Sequence, residues 1–385
     1  MNIIFLGGFA YPEGMAGTKR VSSLINYLKA HQHQVHVIII HNDPINLEKY
    51  GAQGSYKGIP FITIGKDLDF NILLPLRIIK LIYEIFIYLK NNRIKNDKNI
   101  LYVYNGINYE NILFVKIARL FHFKVVTDIV EDNLLIEEDL SYKTKLRTRS
   151  NNYFENKIVK STHGIIVISH HLKNKLSIIT KNSIPILLLP PCILIEPDHF
   201  KINQSSNVTR FFYAGTFGNK DGIALLINAF NNLSKIYNNC ELILAGKPYN
   251  HKSYLNNSNP KIIFIGFIPE EEYKKELYNA DVLCMTRINS GYANAGFPFK
   301  LVEYLSTGKP VIASNVSDVN IYLKDKIDAF LYSADNLDEL ITTMEYILNN
   351  PSKAANVGKR GLDSALKNFN VSVEGKKLIE YLENI

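Results

Sequence analysis

Tryptophan is absent from the 385-residue chain, cysteine occurs three times and methionine four times, and no run of 18 uncharged apolar residues exists. Each shortage closes off a class of protein. Cys192, Cys240 and Cys284 stand far apart, which excludes a disulfide framework and any CxxC metal or redox pair, and leaves buried thiols in a reducing compartment as the expectation. The most apolar stretch, residues 72–89, is interrupted by Arg77, Lys80 and Glu84, so no membrane span is expected. The opening MNIIFLGG has neither a basic leader nor a small-residue cleavage site, so a cytoplasmic location is expected. No repeat of 20–50 residues and no low-complexity tract stands out. Although 23 tyrosines and a net charge of +8 suit nucleic acid, no RNP-like or Cys/His pattern accompanies them, and nucleic-acid binding is not expected.

What remains is an ordinary globular composition, 46% hydrophobic and 21% charged, with a mean hydropathy of −0.04. The charge is unevenly placed. Residues 1–190 hold 24 Lys and Arg against 15 Asp and Glu, a net of +9, while residues 191–385 hold 20 against 21, a net of −1. A split of that kind points to an anionic surface or ligand facing the first half alone.

Short Val/Ile-rich runs at residues 3–6, 35–40, 100–104, 124–127 and 164–168 alternate with helix-length segments. After a pause at Leu187-Leu-Leu-Pro-Pro191 and the polar stretch 201–209 the pattern restarts, with strands expected at 211–215, 242–245, 262–265, 282–285 and 311–313, and helices at 222–236, 269–279, 300–306 and 336–348. Strands without polar alternation, separated by helices, predict parallel sheets covered on both faces. The fold class is therefore α/β with two facing, Rossmann-like, doubly wound domains, and the crevice at the carboxyl ends of their strands is the default ligand site. The expected boundaries are 1–190, 191–370 and a final helix, 371–385, returning to the first domain.

Three segments could carry chemistry. In GGFAYPEGMAGTKR (residues 7–20), Gly17 and its neighbours let backbone N–H groups approach an anion at the start of the next helix, or simply form a tight turn. In Tyr213-Ala-Gly-Thr-Phe-Gly-Asn-Lys-Asp-Gly222, Gly215 keeps a strand-to-helix turn open, and Lys220 is either a phosphate ligand or a solvated surface lysine. In Phe297-Pro-Phe-Lys-Leu-Val-Glu-Tyr-Leu-Ser-Thr-Gly-Lys-Pro-Val-Ile312, a short helix would aim its first N–H groups at a diphosphate, with Glu303 one turn inside, facing either a ribose diol or solvent.

Taken in order, Lys220-Asp-Gly222 and, some eighty residues on, Phe297 to Ile312 resemble the donor domain of the retaining glycosyltransferases of family 4, of the bacterial surface-polysaccharide type, which have the GT-B fold. The opening strand, glycine loop and helix, His163-Gly-Ile-Ile-Val-Ile-Ser169 and Leu189-Pro-Pro191 resemble that family as well. The resemblance implies sugar transfer from a nucleotide diphosphate sugar to a glycan or lipid-linked acceptor; Asp67-Leu-Asp69 sits in a loop of the acceptor half and is not placed to hold a divalent ion, so no metal or other cofactor is expected. The resemblance places Lys220 on the diphosphate and Glu303 on the ribose, with Gly17, Gly215, Thr216, Phe299, Lys300 and Leu301 around the donor. Three positions depart from the family pattern: Ala295 replaces the first of a glutamate pair, Thr216 replaces an arginine, and Asp128-Ile-Val-Glu131 replaces a histidine near the reacting sugar. Asp128 and Glu131 are therefore the acidic candidates there.

Other features are read more plainly. His31, His33, His36 and His41 straddle a helix end and a strand and are not expected to bind metal, and His170-His171 opens a helix. The helix around residues 76–90 either packs on the sheet or lies on a membrane surface; Arg77, Lys80, Lys143, Lys145, Arg147 and Arg149 would favour an anionic leaflet and a peripheral protein on its cytoplasmic face. Two other functions stay open on these residues: a nucleotide-sugar epimerase of the same fold, and a non-catalytic membrane-associated partner.

Overall fold

Alternate residues of the first strand enter two different cores. Ile3 and Phe5 join one cluster of buried side chains and Ile4 and Leu6 another, and the same division runs through the second strand, with Val37 and Ile39 against Ile38 and Ile40. A period of two with both faces apolar makes a strand covered on both sides. The computed structural model describes residues 1–40, 42–64, 74–108, 111–132, 135, 142–157, 162–196, 208–246 and 258–385, and the side chains of all of these but 74–78, 142–147 and 219. His41 and Asp67-Leu-Asp69 lie outside them, as do the side chains of residues 77, 143, 145 and 147.

The chain divides into two units, Met1–Ile193 with Val371–Ile385, and Leu194–Asn370. The first runs β1 (Asn2–Gly7), α1 (Ala16–Ala30), β2 (Gln34–Ile40), α2 (Pro44–Tyr50), β3 (Gln53–Tyr56), β4 (Ile59–Ile64), α3 (Leu74–Asn91), β5 (Asn99–Tyr104), α4 (Ile112–Leu120), β6 (Lys124–Ile129), α5 (Tyr142–Lys157), β7 (Gly164–Val167), α6 (His170–Thr180) and β8 (Ile186–Leu188). Its eight strands lie in the order β3-β4-β2-β1-β5-β6-β7-β8, all parallel except the β3–β4 pair.

The second unit contains β9 (Thr209–Ala214), α7 (Ile223–Ile236), β10 (Cys240–Ala245), β11 (Ile262–Gly266), α8 (Glu270–Asn279), β12 (Val282–Met285), α9 (Gly291–Ala295), α10 (Phe299–Leu305), β13 (Val311–Asn315), α11 (Val319–Tyr322), β14 (Phe330–Ser333), α12 (Leu337–Asn349) and α13 (Pro351–Asn368). Its sheet, β11-β10-β9-β12-β13-β14, is parallel throughout. The last helix, α14 (Val371–Asn384), belongs to the first unit. Its Leu378 and Leu382 are fully buried with Leu24 and Leu28 of α1, each such burial stabilising by roughly 1.5–3 kcal/mol. Gly375 is what lets the two helices close, since a Cβ there would stand 2.3 Å from the Tyr27 ring.

Several elements went unanticipated, each for a local reason. The β3–β4 hairpin turns through Lys57 and Gly58, both left-handed, and β3 (QGSY) is a mostly exposed edge with Tyr56 alone packing on the core to announce it. Helix α13 carries Gly358 and Gly361, which weaken its helical pattern but bring it against backbone: a Cβ at either would lie 2.5 Å from the 308–310 turn or from the Asp328 carbonyl. Residues 187–188 lie in a strand, β8, at the edge of the first sheet.

The side chains at the centre of the first unit correct one expectation. Asp128, expected beside the reacting sugar, is fully buried; its oxygens accept from Arg20 Nε at 2.9 Å, Arg20 Nη2 at 3.0 Å and Tyr102 OH at 2.7 Å. The same guanidinium donates to the carbonyls of Leu189 and Pro190 at 3.0 and 2.9 Å, so it ties α1 to β6 and to the segment leaving β8. Burial, with the Asp128 carboxylate, holds the Tyr102 phenol well above its ordinary value. A charge pair closed off this completely orders the fold and presents nothing to a ligand. Asp128→Ala, which strands the guanidinium, should destabilise the protein by about 3–5 kcal/mol in urea unfolding; a loss below about 1 kcal/mol would show that the pair carries no such weight.

Candidate functional site

The site is built where β9 hands over to α7. Ala214 ends the strand, its N–H donating to Tyr304 OH of α10 at 3.0 Å, and residues 215–222 then make a loop with a 3-10 turn, Asn219–Asp221, before α7. Gly222, at φ +62°, caps that turn; a Cβ there would stand 1.9 Å from the Thr286 carbonyl oxygen beyond β12, so no other residue fits. The loop is fastened across the sheet by Thr286 Oγ1 donating to the Asp221 carbonyl at 3.0 Å and by Ile288 N donating to that of Lys220 at 3.1 Å.

At its centre is Asp221, 4% exposed, to which the sequence reading gave no part. Its carboxylate accepts from the Gly218 N–H at 3.1 Å, from Lys300 Nζ at 3.2 Å and from Thr216 Oγ1 at 3.5 Å. Burial alone would push this carboxyl up, but the charges of Lys300, Arg287 and Lys220 outweigh it, and the group sits below its ordinary value. Lys300, on α10, also donates to Tyr213 OH at 2.5 Å with its ammonium 4.1 Å from that ring; burial lowers it, against the pull of Asp221. Gly215 makes this possible, because a Cβ there would stand 2.7 Å from Lys300 Nζ.

Lys220 points elsewhere on the same loop, its Nζ 4.4 Å from the Tyr292 ring of α9 and 3.4 Å from the hydroxyl. Arg287, which follows β12, was also overlooked. Its Nη1 reaches the Ala293 carbonyl at 3.5 Å, while its Nε is buried with no hydrogen-bond partner, a donor placed to meet an acceptor that the protein itself does not supply. Three cations thus surround one carboxylate, a formal excess of two positive charges.

Of the expected donor residues, Gly215, Thr216 and Lys300 meet around Asp221, and Lys220 adjoins it in the loop. Glu303 stands one turn along α10 from Lys300 and accepts from Tyr273 OH of α8 at 3.1 Å. Leu301 is a correction: its side chain is fully buried in the core, and its N–H closes a turn on the Pro298 carbonyl at 3.1 Å, so it lends no contact to a ligand. Phe299 is 7% exposed and likewise mostly core, and Ala295 is fully buried. In the first unit, Gly17 lies at the start of α1, where a Cβ would meet Tyr104 OH at 2.9 Å, and Glu131 is half-buried after β6.

Comparison with protein families matches residues 195–363 to the family described as glycosyl transferases group 1. The matched residues fall within the second unit. Solved structures match the whole chain at low identity. Sucrose-phosphate synthase from Thermosynechococcus elongatus gives a TM-score of 0.74 at 16% identity, covering 100% of this chain and 99% of that one. HepE of Anabaena in complex with UDP gives 0.71 at 15%, covering 100% of both, and a glycosyltransferase from Rickettsia africae 0.72 at 16%, covering 100% and 98%. Comparison with curated proteins finds no match. Two α/β units with parallel sheets, matched end to end at these scores, make the fold GT-B.

The lowered Asp221 carboxyl has a consequence for stability. A carboxyl whose value falls on folding stabilises the protein above its unfolded value, near 3.9, and that contribution is lost as the pH falls through the lower folded value. Urea midpoints measured from pH 7 downward should therefore show an acid step below about pH 4 that is diminished in Asp221→Asn; superimposable profiles would contradict the assignment.

Proposed function

We propose that the protein transfers a sugar from a nucleotide diphosphate sugar to a glycan or lipid-linked acceptor, with retention of anomeric configuration, in cell-surface polysaccharide synthesis. The observation that carries the donor part is the surplus of positive charge around Asp221 at the carboxyl ends of β9 and β12, inside the residues matched to the group 1 family. A diphosphate leaving group gains negative charge as the glycosidic bond breaks, and cations already fixed in place stabilise it without reorganising. Lys220 and Arg287 take the diphosphate oxygens. Lys300, held by Asp221 and Tyr213, positions the loop and adds to the field; Gly215 and Thr216 line it, and Glu303 receives the ribose hydroxyls. These protein groups supply the charge, and no metal is assigned a step. HepE of Anabaena has been solved with UDP-glucose, which supports a nucleotide-sugar donor for a chain of the same fold. Retention rests on the resemblance to family 4. Glu131 is the acidic candidate on the acceptor side.

The acceptor part rests on the basic first unit and on α3. No helix among the described residues is long and apolar enough to cross a membrane. Yet α3, whose Ile85 and Leu89 are buried, leaves Ile79, Ile82, Tyr83 and Phe86 exposed at spacings of three and four, a single outward stripe. Lys80, which pairs with Glu84 at 3.8 Å, and Lys90 flank it on the same helix. An apolar stripe edged by cations suits the interface of an anionic leaflet, where each basic residue contributes about 1 kcal/mol.

Two experiments test these parts separately. Lys220→Ala and Glu303→Ala should each weaken nucleoside diphosphate binding by roughly 1.5–3 kcal/mol in calorimetry, as expected for hydrogen bonds to charged groups, and unchanged affinity in both would overturn the donor assignment. The protein should float with anionic vesicles at low salt, release as salt shortens the Debye length from about 10 Å toward 3 Å, and lose most binding in the Ile79→Glu/Phe86→Glu variant. Equal binding to neutral and anionic vesicles, or none at low salt, would leave a small water-borne acceptor as the better reading.

A further inference from the structure

A second concentration of positive charge lies at the other end of the second sheet. Phe330 is the first residue of β14, paired with Ile312 near the start of β13, whereas the Asp221 loop follows the carboxyl end of β9. In a parallel sheet those are opposite edges, about 10 Å or more apart along strands of four to six residues, and β14 is also the outermost strand. Beside Phe330 is a cavity of about 210 Å³, lined by Lys326, Lys353, Arg360, Tyr346 and Asn356 and by no acidic side chain.

Two of the three cations have identifiable contacts. The Arg360 guanidinium donates through Nε to the Ile327 carbonyl at 2.7 Å and through Nη2 to that of Lys326 at 3.3 Å, which orients it and leaves its Nη1 hydrogens unassigned. Lys326 has its ammonium 5.6 Å from the Tyr346 ring. Lys353 stands in the first turn of α13, where the helix dipole adds to its charge, and among the described residues no carboxylate pairs with any of the three cations. The frame is rigid, because Gly358 and Gly361 seat α13 directly on the backbone of residues 308–310 and 328.

Three like charges converging without a counter-charge repel one another, and that arrangement becomes favourable when an anion of higher charge joins them. We propose that this cavity binds a small phosphomonoester: Lys326, Lys353 and Arg360 take the phosphate oxygens, while the Tyr346 ring and the Asn356 amide meet a polar body such as a sugar ring. The volume admits a solute of that size and the open, solvated cations suit a ligand that exchanges rapidly. The proposal stands independently of the donor reading, since no residue is shared between the two sites.

The test is titration with glucose 1-phosphate, inorganic phosphate and glucose at constant ionic strength, followed by phosphorus NMR for the two phosphates and by calorimetry for all three. Glucose 1-phosphate should bind saturably in the presence of saturating UDP, inorganic phosphate more weakly, and glucose not at all. Lys353→Ala and Lys326→Ala, both at exposed positions, should each weaken the sugar phosphate at least tenfold with thermal unfolding unchanged, and Lys220→Ala should leave it as it was. Failure to saturate, full competition by UDP, or undiminished affinity in the Lys326→Ala/Lys353→Ala variant would overturn the site, and equal affinity for inorganic phosphate would remove the sugar-binding half of it.

Discussion

One buried carboxylate governs the second unit. Asp221 must be ionised to hold the Gly218 N–H and the Lys300 ammonium, and it can be ionised under burial only because Lys300, Arg287 and Lys220 lie close by. Much of the surrounding geometry follows. The loop has to curl tightly enough to bring Asp221 inward, so Gly222 adopts a left-handed conformation against the Thr286 carbonyl; Lys300 has to reach it from α10, so position 215 is left without a side chain. The arrangement binds three segments, 213–222, 286–288 and 299–305, into one body.

The first unit contains a comparable buried carboxylate with the opposite outcome. Asp128 meets a single guanidinium in a two-pronged pair, receives a phenol as well, and is sealed from water, so charge and hydrogen-bonding capacity are consumed within the fold. Around Asp221 the cations outnumber the anion, and the excess is left over. The distinction between a charge cluster that builds a domain and one that receives a ligand lies in that arithmetic and in exposure, since acidic and basic residues are present in both. The same reasoning sets the cavity beside Phe330 apart from ordinary basic surface, because its three cations share one concavity and lack a carboxylate.

The two faces of α3 extend the contrast to apolar surface. Ile85 and Leu89 complete a core beneath the first sheet, and Phe86 packs against Phe121 at 4.9 Å while still partly exposed. Ile79 and Tyr83 beside it are exposed to 62% and 65%, apolar surface that the core of the first unit does not cover.

The sequence by itself determined the α/β alternation, the parallel direction of nearly all the strands and most of the helices that flank the sheets, because runs such as Ile3 to Leu6 and Val35 to Ile40 carry their burial pattern in consecutive residues; the GT-B class followed from the resemblance carried by Lys220-Asp-Gly222 and Phe297 to Ile312. It also singled out Lys220, Lys300 and Glu303, which lie in segments whose glycines and prolines mark turns. It did not mark Asp221 or Arg287 as partners, since Lys300 lies 79 residues from Asp221 and only the packing of α10 against the end of β9 brings the two within 3.2 Å. Nor could it tell Asp128, a strand residue with its cation 108 positions away, from an acid facing substrate. Local periodicity is written in the neighbours of each residue, whereas the ionisation, burial and availability of a charged group depend on side chains that only the folded chain places beside it.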